Sequence, residues 1–367
     1  MKIIKPTVLV DKKKVLHNIA KMQNKADRNG IELRPHFKTH QSSIIGNWFR
    51  EKGTTKITVS SISMARYFAD AGWKDITVAI PVNILEIDGI NELSESIDLN
   101  LVVDSIFSTE YLNANLKFSV NLWIEIDTGS HRTGIDPNQI SQMTKIAEIC
   151  SASNKLNLKG ILSHAGQTYS AKSETEIKQI YQKSVNIMVE LKTELERLNL
   201  GQIQISLGNT PTFSIIESID ENIDEIRPGN YVFYDLMQHQ LGVCTEAEIA
   251  LVLVCPVISI LPELNQVTIY GGGIHLSKEN LTFNSGQKYY GKIVKLNLDN
   301  TWGRSIDGVV ITALSQEHGV ILGSEEFIKN IKIGDLVFVL PIHSCMTANL
   351  HKTLFTTDLE EIDSFQF

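Results

Sequence analysis

Several short runs in this sequence carry side chains capable of chemistry, and each follows an apolar stretch. They are Arg34-Pro-His-Phe-Lys-Thr-His40, Asp127-Thr-Gly-Ser-His-Arg132, Ser163-His-Ala-Gly-Gln-Thr-Tyr169, Gly208-Asn-Thr-Pro-Thr212 and Arg227-Pro-Gly-Asn-Tyr231. Lys38 lies among Pro35, His36, Thr39 and His40. A lone lysine is ordinarily a solvated surface charge. An amine held among polar and cationic neighbours has a lowered pKa and becomes nucleophilic. A Schiff-base lysine requires that property.

Two of the runs suit an anion. Gly208, Asn209 and Thr210 open a short helical pattern, with Pro211 at a first helical position. Backbone N–H groups at such a start attract negative charge. Gly229-Asn230 supplies a second close-approach turn. Either run alone reads as an ordinary turn; together, after the last two of eight strands, they point to a phosphate.

A third signal lies near the C-terminus. His343 and Cys345 are two apart after an apolar run. On a continuing strand both side chains face one way. Imidazole with thiolate is a zinc-type ligand pair, and two protein ligands leave positions open for water or substrate. The alternative is a buried cysteine beside a satisfied histidine. Gly271-Gly-Gly273 lacks dinucleotide-binding spacing and reads as a tight turn. Gln316-Glu-His-Gly319 reads as a turn, or as an active-site wall if two domains meet there.

These runs need elements to position them. Strands are predicted over Ile31–Arg34, Lys56–Ser60, Ile76–Pro81, Leu99–Asp104, Ser119–Asp127, Leu156–Ser163, Gln202–Leu207 and Glu225–Phe233. Helical patterns fill most gaps, the clearest over Glu174–Leu198. Eight strands alternating with helices predict an α/β fold, a TIM-type (β/α)8 barrel whose chemistry sits at the strand C-termini. After Cys244 the pattern turns mostly β, with strands predicted over Ile249–Ile260, Gln266–Tyr270, Lys292–Leu298, Gly308–Leu314 and Leu336–Leu340. The N-terminal strand Thr7–Val10 is left over and can join that β domain. The expected division is a barrel over residues 12–244 and a β domain of residues 1–11 plus 245–367.

Composition bounds the partners. The 367 residues carry a formal net charge of −8, which argues against a general nucleic-acid partner. No secretory signal or membrane-spanning apolar run is visible. The four cysteines are widely spaced, without a C-x-x-C pair, so the expected compartment is the reducing cytoplasm.

The run from Arg34 to His40 resembles the pyridoxal 5′-phosphate (PLP) lysine motif of the D-serine dehydratase and D-threonine aldolase family. The resemblance covers essentially the whole chain, including Pro6-Thr-Val-Leu-Val-Asp11, Ser315-Gln-Glu-His-Gly319 and the terminal His343-x-Cys345. It implies the alanine racemase fold, in which the first strand belongs to the C-terminal β domain, and a homodimer. It implies that Lys38 is the catalytic Schiff-base lysine. It implies that Arg132, His164 and Tyr169 lie about the cofactor ring, with the phosphate on Asn209, Thr210, Gly229 and Asn230. His343 and Cys345 become ligands of a divalent metal, zinc or another such as manganese. A cysteine at the second ligand position resembles the dehydratases, where characterised aldolases more often have aspartate. Gln41 stands where the family often has a second lysine, and His164-Ala-Gly-Gln167 where it usually has Tyr-Ala-Gly-His. The implied reaction is metal-assisted β-elimination from a D-3-hydroxy amino acid, giving a 2-oxoacid and ammonia. Retro-aldol cleavage to glycine and an aldehyde uses the same parts. A non-catalytic PLP-binding homeostasis protein is the alternative of another class; the residues after Cys244 and the terminal H-x-C argue against it.

Overall fold

The computed structural model describes residues 3–198, 201–297 and 301–366. Leu298, the last residue of one expected strand, lies outside them. Packing divides the chain into two units. One comprises Ala20–Lys38 and Phe49–Gly229; the other comprises Met1–Ile19, Thr39–Trp48 and Asn230–Gln366. Among the described residues no helix is long and apolar enough to cross a membrane.

The first unit is built on an eight-stranded sheet. Its order is Glu32–Leu33, Glu225–Ile226, Gln204–Gly208, Leu156–His164, Val120–Glu125, Asp98–Val103, Asp75–Pro81 and Lys56–Val59. Every pairing is parallel. A parallel bridge between His36 and Thr58 joins the two ends into a barrel. There Phe37 N–H donates to Thr58 O at 2.8 Å and Thr58 N–H to Pro35 O at 2.9 Å. The strands form because β-branched and leucine runs such as Ile57–Val59, Ile76–Val78 and Leu101–Val103 are buried, as parallel strands covered by helices require. Ser61, Ser105 and Ser173 start three of the covering helices, each side chain accepting a backbone N–H three residues on.

The eighth strand departs from expectation. It ends at Ile226 instead of running to Phe233, and Asn230–Val232 is a 3-10 turn. Pro228 has no N–H to give a neighbouring strand. Its carbonyl still accepts from His36 N at 2.9 Å, so it remains tied to the segment before Lys38.

That segment is anchored by one side chain. Phe37 is fully buried, with ring centroids 4.9 Å from Phe49, 5.0 Å from Phe68 and 5.2 Å from Trp73. Edge-on and tilted aromatic pairs contribute about 0.5–1.5 kcal/mol each beyond area burial.

The second unit holds a nine-stranded sheet. Thr7–Val10 lies in it as expected, antiparallel to Leu251–Leu261 and parallel to Leu354–Thr356. The strand expected to begin at Gly308 begins at Trp302 and runs to Leu314. Register shifts against Gly291–Leu296 absorb Gly308, at φ +71°, as a bulge that sequence patterning reads as a turn. The glycine triplet is not a simple turn: Gly273 opens a helical turn, Gly273–Leu276. A Cβ on Gly272 would lie 2.3 Å from Gln316 O, so that backbone approach demands glycine.

The Asp363 carboxylate ties the C-terminal segment to the start of the Ser43–Arg50 helix. Its oxygens accept from Ser42 Oγ at 2.7 Å, Ser43 Oγ at 2.6 Å, and the N–H groups of Ser43 and Ile44 at 3.1 Å. Phe365 N–H adds a bond to Gln41 O at 2.6 Å. Asp363→Ala is expected to cost about 1–3 kcal/mol of stability. Chemical denaturation checks this; an unchanged midpoint would remove Asp363 from the account of how this segment is held.

Candidate active site

Lys38 follows the anchored Phe37 at the barrel seam. Its backbone N–H donates to His36 Nδ1 at 3.4 Å. His164, the last residue of its strand, lies close enough that Lys38, Arg132 and Arg227 act on both imidazoles. Burial, and then these cations, push His36 well below its ordinary pKa and His164 down to about 3. Both rings are therefore neutral. The His164 and Tyr169 rings are 6.3 Å apart and tilted by 36°.

The Asp127 carboxylate shapes the loop that carries Arg132. It accepts the N–H groups of Gly129 at 2.9 Å, Ser130 at 2.8 Å and His131 at 3.1 Å. Burial opposes the charge of Asp127, but these bonds hold its pKa below the ordinary value. Gln167, one of the departures from the family pattern, has a definite contact: its Nε2 donates to Thr128 O at 3.1 Å.

The expected phosphate loops are brought together, but several of their donors are already used. Tyr169 Oη accepts from Thr210 N at 3.4 Å, Asn209 Oδ1 from Thr212 N at 2.7 Å, and Thr210 Oγ1 from Gly229 N at 3.2 Å. Asn209 caps the Thr210–Ile215 helix, with Pro211 second in it. Thr212 Oγ1 is buried without a hydrogen-bond partner among the described residues. Gly208 packs against Arg227: a Cβ there would come within 3.1 Å of Nη2, so glycine permits the close approach of the guanidinium.

Sequence reasoning did not single out Arg227 or the side chains behind it. Its guanidinium is buried, donating from Nη2 to Ser163 O at 2.9 Å and from Nη1 to Ser206 Oγ. Burial lowers its pKa to about 10, against the opposing pull of Glu225 and Glu125. The available signal was Glu225-x-Arg227, two charges at strand spacing facing one side.

His343 and Cys345 belong to the other unit, as does Asn230. The strand before them stops at Pro341; His343 is the N-cap of the Ser344–Asn349 helix and Cys345 lies within it. The strand argument for their common direction therefore fails, yet the two side chains lie close enough for each to shift the other's pKa. Burial works against both charged forms. The contact outweighs it, raising His343 to about 11 and bringing the Cys345 thiol below its ordinary value. His343 Nδ1 also meets Glu279 Oε2 at 2.8 Å. Cys345 Sγ lies 3.3 Å from Thr39 Oγ1 and 3.4 Å from Asn230 Nδ2. Buried Asp235 accepts from Asn230 Nδ2 at 2.7 Å and Ser344 N at 3.0 Å, fixing the turn. Among the described residues no cluster of three or more His, Cys, Asp or Glu is poised for a metal.

The sequence matches the family described as "Alanine racemase, N-terminal domain" over residues 10–236. The chain belongs to this family. Residues 250–357 match a second description, "Putative serine dehydratase domain". The chain is 28% identical to D-threo-3-hydroxyaspartate dehydratase of Delftia sp. (strain HT23), over 93% of this chain and 91% of that protein. It is 29% identical to D-serine dehydratase of Dictyostelium discoideum, over 98% and 95%. The solved Delftia structure superposes with a TM-score of 0.91 at 26% identity, covering 100% of this chain and 98% of that one. Within the alanine racemase fold, the chain is a PLP-dependent lyase of the D-serine dehydratase and D-threonine aldolase type.

His40 makes the neighbourhood acid-sensitive. It is buried, its Nδ1 accepts from Ser42 N at 3.1 Å, and burial lowers its pKa to about 3. The unfolded chain binds a proton on this residue below about pH 6.5 and the folded chain does not. Stability is thus expected to fall as pH drops from about 6.5 towards 3, and His40→Gln to flatten that slope. Denaturation midpoints across the range check it; equal slopes for both proteins would discount His40.

Proposed function

We propose that this enzyme removes water from a D-3-hydroxy amino acid, giving a 2-oxoacid and ammonia. The observation that carries the reading is the His343–Cys345 pair. A thiolate beside an imidazole is a donor set for a zinc-type ion, and a racemase has no use for a metal at the β-substituent. The names and coverage of the dehydratase relatives support the same reaction.

The residues of the barrel fit PLP. Lys38, Arg132 and Arg227 concentrate positive charge where two neutral histidines add none. Near the start of the Thr210–Ile215 helix, Thr212 offers a buried hydroxyl. In this proposal Lys38 would hold the cofactor. Arg132, His164 and Tyr169 line the ring, and Asn209, Thr210, Gly229 and Asn230 serve the phosphate end. PLP, when bound, supplies an electron sink for negative charge at Cα. Lys38 would also be the base that takes the Cα proton. Neutral His36 and His164 keep their nitrogens available as acceptors instead of competing as acids.

His343 and Cys345 would hold a divalent cation, zinc or another such as manganese, acting as a Lewis acid on the departing β-hydroxyl. Asp235 and Asn230 keep the two ligands in place. Loss of hydroxide and the Cα proton leaves an enamine, which water converts to the 2-oxoacid and ammonia. The proposal extends to a cytoplasmic homodimer. The four cysteines are all free, which suits a reducing compartment.

Purified protein with PLP and zinc is to be given D-serine, D-threonine and D-3-hydroxyaspartate, with and without a chelator. Chelator-sensitive 2-oxoacid and ammonia are expected. Glycine plus an aldehyde would make the enzyme an aldolase with the same site, and no product despite a PLP–lysine absorbance would leave a cofactor-binding protein. Lys38→Ala is expected to abolish turnover and the lysine-linked absorbance together; an active Lys38→Ala enzyme would end this account.

A further inference from the structure

The barrel interior of this chain carries a line of polar side chains from its N-terminal mouth to Arg227. At the mouth, a polar cavity of about 400 Å³ is lined by Asp75, Asn100, Arg34 and Glu225 among others. Asp75 accepts from Asn100 Nδ2 at 2.8 Å and from Arg34 Nη1 at 2.6 Å. Arg34 Nε donates to Glu225 Oε2 at 2.5 Å. Ser206 Oγ lies 2.6 Å from Glu225 Oε1, and Arg227 Nη1 donates to Ser206 Oγ.

The donor count gives this line a direction. A serine hydroxyl has one proton. Arg227 can only donate, so Ser206 must accept from it and give its own proton to Glu225. Glu225 accepts from both Ser206 and Arg34. Arg34, Glu225, Ser206 and Arg227 are each at most 5% exposed. At such burial, charge-assisted bonds are stronger than neutral ones, and removing one partner strands the other.

We propose that Glu225 and Ser206 are positioning residues that hold the Arg227 guanidinium charged and oriented towards the cofactor. This inference rests on the reading that PLP binds at the Lys38 end of the barrel. Two observations support it. The charge of Arg227 reaches both His36 and His164. Arg227 Nη2 donates at 2.9 Å to the carbonyl of Ser163, the residue before His164.

The test uses the PLP-loaded enzyme with Ser206→Ala, Glu225→Gln and Arg227→Gln. Three quantities are read: the pH titration of the bound cofactor's absorbance, the rate of PLP loss on dilution, and the thermal midpoint. Arg227→Gln is expected to shift the titration. Ser206→Ala and Glu225→Gln are expected to shift it in the same direction and to speed PLP loss about tenfold, equivalent to about 1.4 kcal/mol. Ser206→Ala removes a single oxygen and keeps the test decisive if Glu225→Gln does not fold. If Arg227→Gln shifts the absorbance while the other two lower only the thermal midpoint, the line is a structural ion network and the inference is overturned. If Arg227→Gln also leaves the absorbance and PLP release as in the wild type, Arg227 does not face the cofactor, and that reading of the barrel end falls with the inference.

Discussion

The barrel depends on keeping two arginines buried within it while further cations stand at its end. Arg34 and Arg227 are almost solvent-free, and Lys38, Arg132 and Arg227 act on the same two imidazoles. An isolated charge in such a place is costly. The structure offsets the cost in two ways. Carboxylates enter the interior: Glu225 and Asp75 more than cancel the burial of Arg34 and raise its pKa. The histidines meanwhile stay neutral and add no charge of their own. What remains is a surplus of positive charge at the barrel's C-terminal end, which an anionic cofactor suits.

Much of this end was legible because barrel topology makes one simple statement. Whatever follows a parallel strand shares an end with whatever follows the next. That rule brings Lys38, Arg132, His164, Tyr169, Thr210 and Gly229 into one region from five separate runs, without any knowledge of side-chain geometry. The rule says nothing of the barrel's inside. Glu225, Ser206 and Arg34 alternate with apolar neighbours as surface residues of an ordinary strand would, so their pairing could not be read. Nor does it count hydrogen bonds. The N–H groups of Thr210, Thr212 and Gly229 looked open from sequence, but Tyr169, Asn209 and Thr210 take them.

The last strand and the metal pair illustrate a second limit. Glu225–Phe233 and the stretch through His343–Cys345 both continue an apolar pattern past a proline. In each the chain leaves the sheet near that proline, at Ile226 before Pro228 and at Pro341 itself. Hydrophobic periodicity reports burial, and both segments stay buried as turns or short helices. The spacing of His343 and Cys345 survives this change because a helix cap and the residue two on can still meet. The argument from a continuing strand therefore does not hold for this pair.

The division of labour between the two units follows from the chemistry. Removing a proton from Cα needs an amine and an electron sink, which Lys38 and PLP would supply under the proposal, and a racemase needs no more. A lyase must also govern the bond to Cβ. Under the proposal His343 and Cys345 would meet that need; Glu279 bonds His343, Asn230 meets Cys345, and Asp235 fixes the turn between them. The chain passes from one unit to the other at Lys38–Thr39 and again at Gly229–Asn230. At the first crossing the lysine is followed by the threonine that touches Cys345. At the second, the glycine bonded to Thr210 is followed by the asparagine that donates to Asp235.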